Sequence, residues 1–180
     1  MKSLRYLVAV CTLAVVPLSH ANNNSVNLYI NQNIGFNVEG YKYTQKSFPC
    51  KLDQVLVGHL LEESQQRHLN AEAVATADKI NNGVIPVLAL DVEQLVLTEE
   101  VQYGPKSRHP LPKVQVMAAL VKGDESVTAP HMCAITTLSE FTSSSNILDM
   151  GTVATVCTAV NRCLQRLSDD VVDWLEPQLK

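Results

Sequence analysis

From Val26 apolar and polar positions alternate: Val26, Leu28 and Ile30 against Asn27, Tyr29 and Asn31, then Ile34, Phe36 and Val38 against Gly35, Asn37 and Glu39. Period two predicts strands with one buried face, and Gln32-Asn33 between them reads as the tight turn of an N-terminal β-hairpin. Tyr41 and Tyr43 continue the alternation, which carries the second strand toward Thr44. After Pro49 the spacing changes: Leu52, Val55, Leu56, His59 and Leu60 recur at intervals of three and four, with Glu62, Glu63, Gln65, Gln66 and Arg67 on the polar side. That is an amphipathic helix laid on a sheet. Asn70 then precedes the alanine-rich stretch Ala71 to Ala77, read as a second helical piece ending at Asn81-Asn82-Gly83.

Gly83 opens an apolar run, Val84 to Leu90, extended by Val92, Leu95, Val96 and Leu97. Its continuity predicts a central strand, weakened at its opening by Pro86, which has no amide hydrogen for the ladder. Glu99 to Pro112, with Gly104-Pro105, His109-Pro110 and Pro112, is a loop. Lys113 to Lys122 alternates again, Lys122-Gly123-Asp124-Glu125 makes a turn, and Val127 to Phe141 is the partner strand. Thr142 to Asn146 is a polar hinge before the strongest helical pattern, in which Val153, Val156, Cys157, Val160, Leu164, Leu167, Val171 and Trp174 share one face until Pro177. The predicted fold class is α+β: an antiparallel sheet with two main helices packed on one face and an N-terminal β-hairpin.

The chain begins with Lys2 and Arg5, an apolar run from Tyr6 to Leu18 and the small-residue ending Ser19-His20-Ala21. This is the build of a secretory signal peptide, so residues 1–21 are expected to be removed and residues 22–180 to form one domain. The apolar run holds about thirteen residues where roughly 20 are needed to span a bilayer. Cys11 could mark a lipoprotein, but Val10 before it is not the small residue that such processing requires. The protein is therefore expected in the periplasm or the medium, without stable membrane insertion after cleavage.

Loss of Lys2 and Arg5 takes the net charge from −4 to about −6. An acidic chain with no basic run repels phosphate backbones, which excludes nucleic acid as an expected partner. Apolar residues make up 46% of the sequence, enough for a core and too many for a disordered chain.

Removal of Cys11 leaves Cys50, Cys133, Cys157 and Cys163, an even number, read as two disulfides in an exported domain. On one helix Cys157 and Cys163 stand about 9 Å apart along the axis, beyond disulfide reach. Cys50 and Cys133 must then each take one of the helix cysteines, in either of two pairings.

Catalytic and metal motifs are not legible. His59 and His68 are nine residues apart, on opposite faces of a continuous helix, and no C-x-x-C or H-x-x-x-H pair occurs. His131 and Cys133 share one strand face. There is no G-x-S-x-G, and the adjacent carboxylates Glu62-Glu63, Glu99-Glu100 and Asp169-Asp170 diverge in direction. No catalytic residue, metal ligand or cofactor is assigned. The candidate working surface is the loop from Glu99 to Pro112, where Tyr103, Lys106, Arg108 and His109 make a locally basic patch suited to an acidic partner.

The element order supplies one resemblance: a helix from Leu52, a strand through Val87 to Leu97, a polar loop, the pair Val114 to Val121 and Val127 to Leu138, and a closing helix ending Leu167-Ser168-Asp169-Asp170-Val171-Val172-Asp173-Trp174-Leu175. This order resembles the ABC-type transport auxiliary lipoprotein family, related to the TolB N-terminal-domain fold, over Leu52 to Leu175. The chain departs from that family in its weak lipobox and its four mature cysteines. The resemblance implies a noncatalytic envelope protein that binds a protein partner in an assembly or transport pathway. A secreted enzyme with a site assembled from distant residues, and a secreted binding or virulence-type factor, are the competing expectations.

Overall fold

β4 (Val87–Val96) is the axis of the molecule, because every other part of the sheet is built outward from it. The computed structural model describes residues 25–36, 48–98, 101–105, 111–137 and 153–180. On one side of β4 lies β6 (Lys113–Lys122), and beyond it β7 (Glu125–Ala134), both antiparallel to their neighbours. On the other side β1 (Leu28–Asn31) runs parallel to β4, and β3 (Ala71–Val74) runs parallel to β1 at the edge. β2 (Gly35–Phe36) and β5 (Gln102–Tyr103) pair with β4 further along that side, parallel and antiparallel respectively. The order is β3-β1-β4-β6-β7.

The α+β class holds, with a mixed rather than a purely antiparallel sheet. α1 (Leu52–Gln66) and α3 (Val153–Leu175) pack on one face, and the four-residue α2 (Ala77–Ile80) connects β3 to β4. Leu28, Ile30, Leu88, Leu90, Val92, Val114, Val116 and Leu120 of the sheet are buried against Leu52, Leu56 and Leu60 of α1 and Val160, Leu164, Leu167 and Val171 of α3. The helical spacings of both helices thus mark their core faces. A 3-10 turn, Pro49–Lys51, leads into α1, and another, Glu176–Gln178, follows α3 at Pro177.

Two expectations are corrected. The N-terminal hairpin does not form: β1 and β2 run in the same direction along β4, as one interrupted edge. Gln32 and Asn33 kink the strand without reversing it, because the Asn33 amide donates to Asn31 Oδ1 at 2.9 Å and the Asn33 side chain donates to the Ala75 carbonyl at 3.1 Å. The alanine-rich piece is also not a helix from Asn70. α1 ends when His68 takes a left-handed conformation (φ 60), with the His68 amide donating to the Gln65 carbonyl and the Leu69 amide to that of Ser64. That is a Schellman stop with His in the place usually held by Gly. Ala71–Val74 then satisfies the open edge of β1, a tertiary demand that overrides alanine's helix propensity.

The β6–β7 hairpin turns at Gly123-Asp124 as read from the sequence. Gly123 has φ 61 at the first central position, the conformation a type II′ turn requires. Gly104, at φ 92, is held by a close approach, since a Cβ there would stand 2.4 Å from the Glu93 carbonyl oxygen. The strand expected to reach Phe141 ends at Ala134; residues 138–141 and the polar hinge lie outside the described residues.

Candidate functional site

The four cysteines form two disulfides, Cys50–Cys157 with Cα atoms 5.2 Å apart and Cys133–Cys163 with Cα atoms 5.5 Å apart. Each ties α3 to a different element, the turn before α1 and strand β7. Of the two pairings open in the sequence, this one follows from α3 lying between them. Two disulfides are the mark of a protein that folds in an oxidising compartment.

Polar side chains add a second set of ties between the helices. His59 of α1 meets Asn161 Oδ1 of α3 at 2.6 Å and Glu62 at 3.3 Å. Arg67, at the end of α1, is clamped between Asp169 and Asp173 of α3. The hydrogen bond that the Arg67 guanidinium donates to Asp173 is the largest effect holding it above its ordinary pKa; burial opposes this, and the charge of Asp173 with the hydrogen bond to Asp169 and its charge add to the rise. At the other side of the sheet Lys79 pairs with Glu72, which raises the lysine's pKa, and lies 5.6 Å from the Tyr29 ring centre.

His131 and Cys133 do share the core face of β7, as expected. His131 is 7% exposed, its Nδ1 lies 2.7 Å from Asp170 Oδ2, and its ring meets Trp174 edge-on at 5.4 Å. An aspartate orienting a histidine through Nδ1 is half of a nucleophile-activating arrangement. Here Nε2, the nitrogen that would receive a proton, is buried without a hydrogen-bond partner among the described residues. A nitrogen sealed in this way cannot reach a substrate, and the pair ties β7 to α3.

Of the predicted basic loop, Tyr103 is described and Lys106, Arg108 and His109 lie outside the described residues. Tyr103 pairs with Leu95 and packs edge-on against Phe36, centroids 6.1 Å apart, beside Phe48. Its ring is thus part of the aromatic packing at the core margin.

The surface that the sequence did not flag is the sheet face opposite the helices. α2 covers its β1–β3 side through Lys79, but across β4, β6 and β7 no described helix lies on it. Ala89, Met117, Ala119, Val121, Pro130 and Met132 line up there, with Val121 37% and Met132 55% exposed. Asp91, Glu93 and Thr128 supply polar groups among them. The outer edge of β7, which pairs with no other strand among the described residues, is itself blunted. Counting from the two-residue turn, Pro130 falls at a position whose amide would point outward, and proline has none.

Neither a protein-family model nor a curated protein matches the chain. Among solved structures, the hypothetical protein CT253 from Chlamydia trachomatis is similar, with a TM-score of 0.51 and 10% identity over 86% of this chain and 98% of that one. PelC from Paraburkholderia phytofirmans, solved as a dodecamer, aligns at a TM-score of 0.41 and 11% identity, over 81% of this chain and 90% of its own. What the chain shares with CT253 is a fold.

Proposed function

We propose that the protein is an exported, noncatalytic component of the cell envelope that binds a second envelope protein through the sheet face opposite its helices. The observation that carries this reading is the row of Met117, Ala119, Val121, Pro130 and Met132 on an exposed sheet surface. Exposed apolar side chains interspersed with polar groups on one face give a protein partner both burial and hydrogen bonding. The two disulfides fit work outside the cytoplasm, and the charged start with its short apolar run fits removal of a signal peptide. A cross-linked scaffold that presents one face to a partner also agrees with what the resemblance of the element order to ABC-type transport auxiliary lipoproteins implies.

The test is the size of the protein in envelope extracts and after purification. The expected result is a complex well above 19.8 kDa in extracts, a monomer after purification, and return to monomer size in extracts for Met132→Asp combined with Val121→Asp. A protein that runs at its own size in the envelope, or that assembles by itself when pure, contradicts this reading.

A further inference from the structure

A cleft of about 500 Å³ opens between the first half of α1 and the ends of β1 and β3. Asp53 lines it, only 8% exposed, and among the described residues its carboxylate makes no ion pair and no side-chain hydrogen bond. Its oxygens are not among the buried polar atoms sealed off without a partner, so the carboxylate faces the cleft and is open to a ligand there. Asp53 stands in the first turn of α1, where the helix dipole favours a carboxylate, and it carries a full negative charge at the mouth of a cleft with no cation paired to it among the described residues.

The cleft also holds a glycine that packing does not explain. Gly58 sits in the middle of α1, where glycine costs roughly 0.5–1 kcal/mol relative to alanine. Nothing lies within 4 Å of the point a Cβ would occupy. Its missing side chain widens the cleft, and the facing wall is likewise made of small residues, Ala73 and Ala75. Leu61 adds an aliphatic surface and Gln54 an amide beside Asp53.

We infer that this cleft binds an organic cation, a primary alkylammonium group on a short aliphatic chain. One carboxylate matches one positive charge, and an ammonium donating a charge-assisted hydrogen bond to it is the strong contact the cleft can supply. The small-residue walls leave a slot for methylenes. A divalent metal ion would ask for several carboxylates or carbonyls converging on one point, and no group of three metal-ligating side chains occurs among the described residues. This inference stands apart from the partner-binding face, which lies on the other side of the sheet.

The experiment is calorimetric titration of the whole exported chain with cadaverine, with N-acetyl-lysine amide, and with uncharged 1,5-pentanediol. Cadaverine is expected to bind saturably and pentanediol not at all. Asp53→Asn should weaken binding about tenfold or more, the loss that follows from removing a charged hydrogen-bond partner. Gly58→Leu should abolish binding by filling the slot, and Glu125→Gln, the same charge change at the distant hairpin turn, should bind as the wild type. Equal binding of N-acetyl-lysine amide identifies a lysine side chain as the source of the ammonium, and binding of cadaverine alone identifies a free amine. No saturable heat at about 10 mM of either amine, equal weakening by Asp53→Asn and Glu125→Gln, or binding of pentanediol overturns the inference. Circular dichroism confirms that each variant is folded.

Discussion

Cys50 and Cys157 stand 107 residues apart in the chain and 5.2 Å apart between Cα atoms, and the residue they anchor, Cys50, sits with Lys51 in a left-handed backbone conformation that side chains disfavour. The cross-link holds that turn against α3 at the point where α1 begins. In the chain-entropy view, loops of 107 and 30 residues are stabilised by about 5 and about 4 kcal/mol respectively. Cys157→Ala is therefore expected to lower stability by several kcal/mol in oxidising buffer and to change it little under reduction. Urea unfolding with and without dithiothreitol checks this; equal losses in both buffers would assign the effect to packing.

His131 offers a different contrast. Truncation to alanine removes the Trp174 contact and leaves a cavity between β7 and α3, at a cost of about 2–4 kcal/mol. Replacement by phenylalanine keeps the ring contact, removes the unsatisfied Nε2 and leaves Asp170 in water, so the cost should stay within about 1 kcal/mol. Denaturant midpoints of His131→Ala and His131→Phe decide it. Equal destabilisation by both would show that the Asp170 bond, rather than the ring, carries the stability.

Much of this architecture is written in the residue pattern. The 3.6-residue spacing located both helices, and the Val114 to Val121 alternation located the long hairpin, because in each case one face is fully buried and the other wet. The misreadings are instructive in the same terms. Leu28, Ile30, Ile34 and Phe36 keep one parity through Gln32-Asn33. A two-residue turn pairing Asn31 with Ile34 would set Ile30 opposite Gly35 and turn Ile34 to the other face. Unbroken parity is the sign of one continuing edge, and it was present in the sequence. Ala71–Val74 carried no such sign, since three half-buried residues and the buried Val74 pairing at an edge obey the sheet's need for a partner more than their own propensity.

The candidate sites were less legible. Met132 and Val121 look like ordinary alternating strand residues, and only the position of the helices shows which face is left open. Asp53 and Gly58 are unremarkable on an amphipathic helix; their meaning depends on Ala73 and Ala75, which the sequence assigns to the wrong element. A glycine in the middle of a helix was the one available signal.

Arg67 is expected to contribute modestly. Its two carboxylate partners are more than half exposed, so water and salt screen them. Arg67→Met should lower stability by roughly 0.5–1 kcal/mol at low ionic strength. The difference from wild type should shrink in 1 M salt, where the Debye length is about 3 Å. A loss that salt leaves unchanged would point to lost stem packing instead.

Asp78 gives a pH prediction. Its carboxyl is held below the ordinary range first by the side-chain hydrogen bond from Thr76, then by backbone amides and Lys79. A depressed folded-state pKa contributes stability that is present above the unfolded value near about 4 and is lost as pH falls through the folded value. In Thr76→Ala the Asp78 midpoint should rise toward the ordinary value, read by NMR titration of the carboxyl carbon. An unchanged midpoint would remove Thr76 as the cause.

The central claim is that export and oxidation make this scaffold. Intact mass and non-reducing peptide mapping of the protein recovered from its own cells test it most directly. The account predicts a chain beginning near Asn22, no free thiol, and peptides linked Cys50 to Cys157 and Cys133 to Cys163. A chain that retains residues 1–21 with its thiols reduced would contradict it.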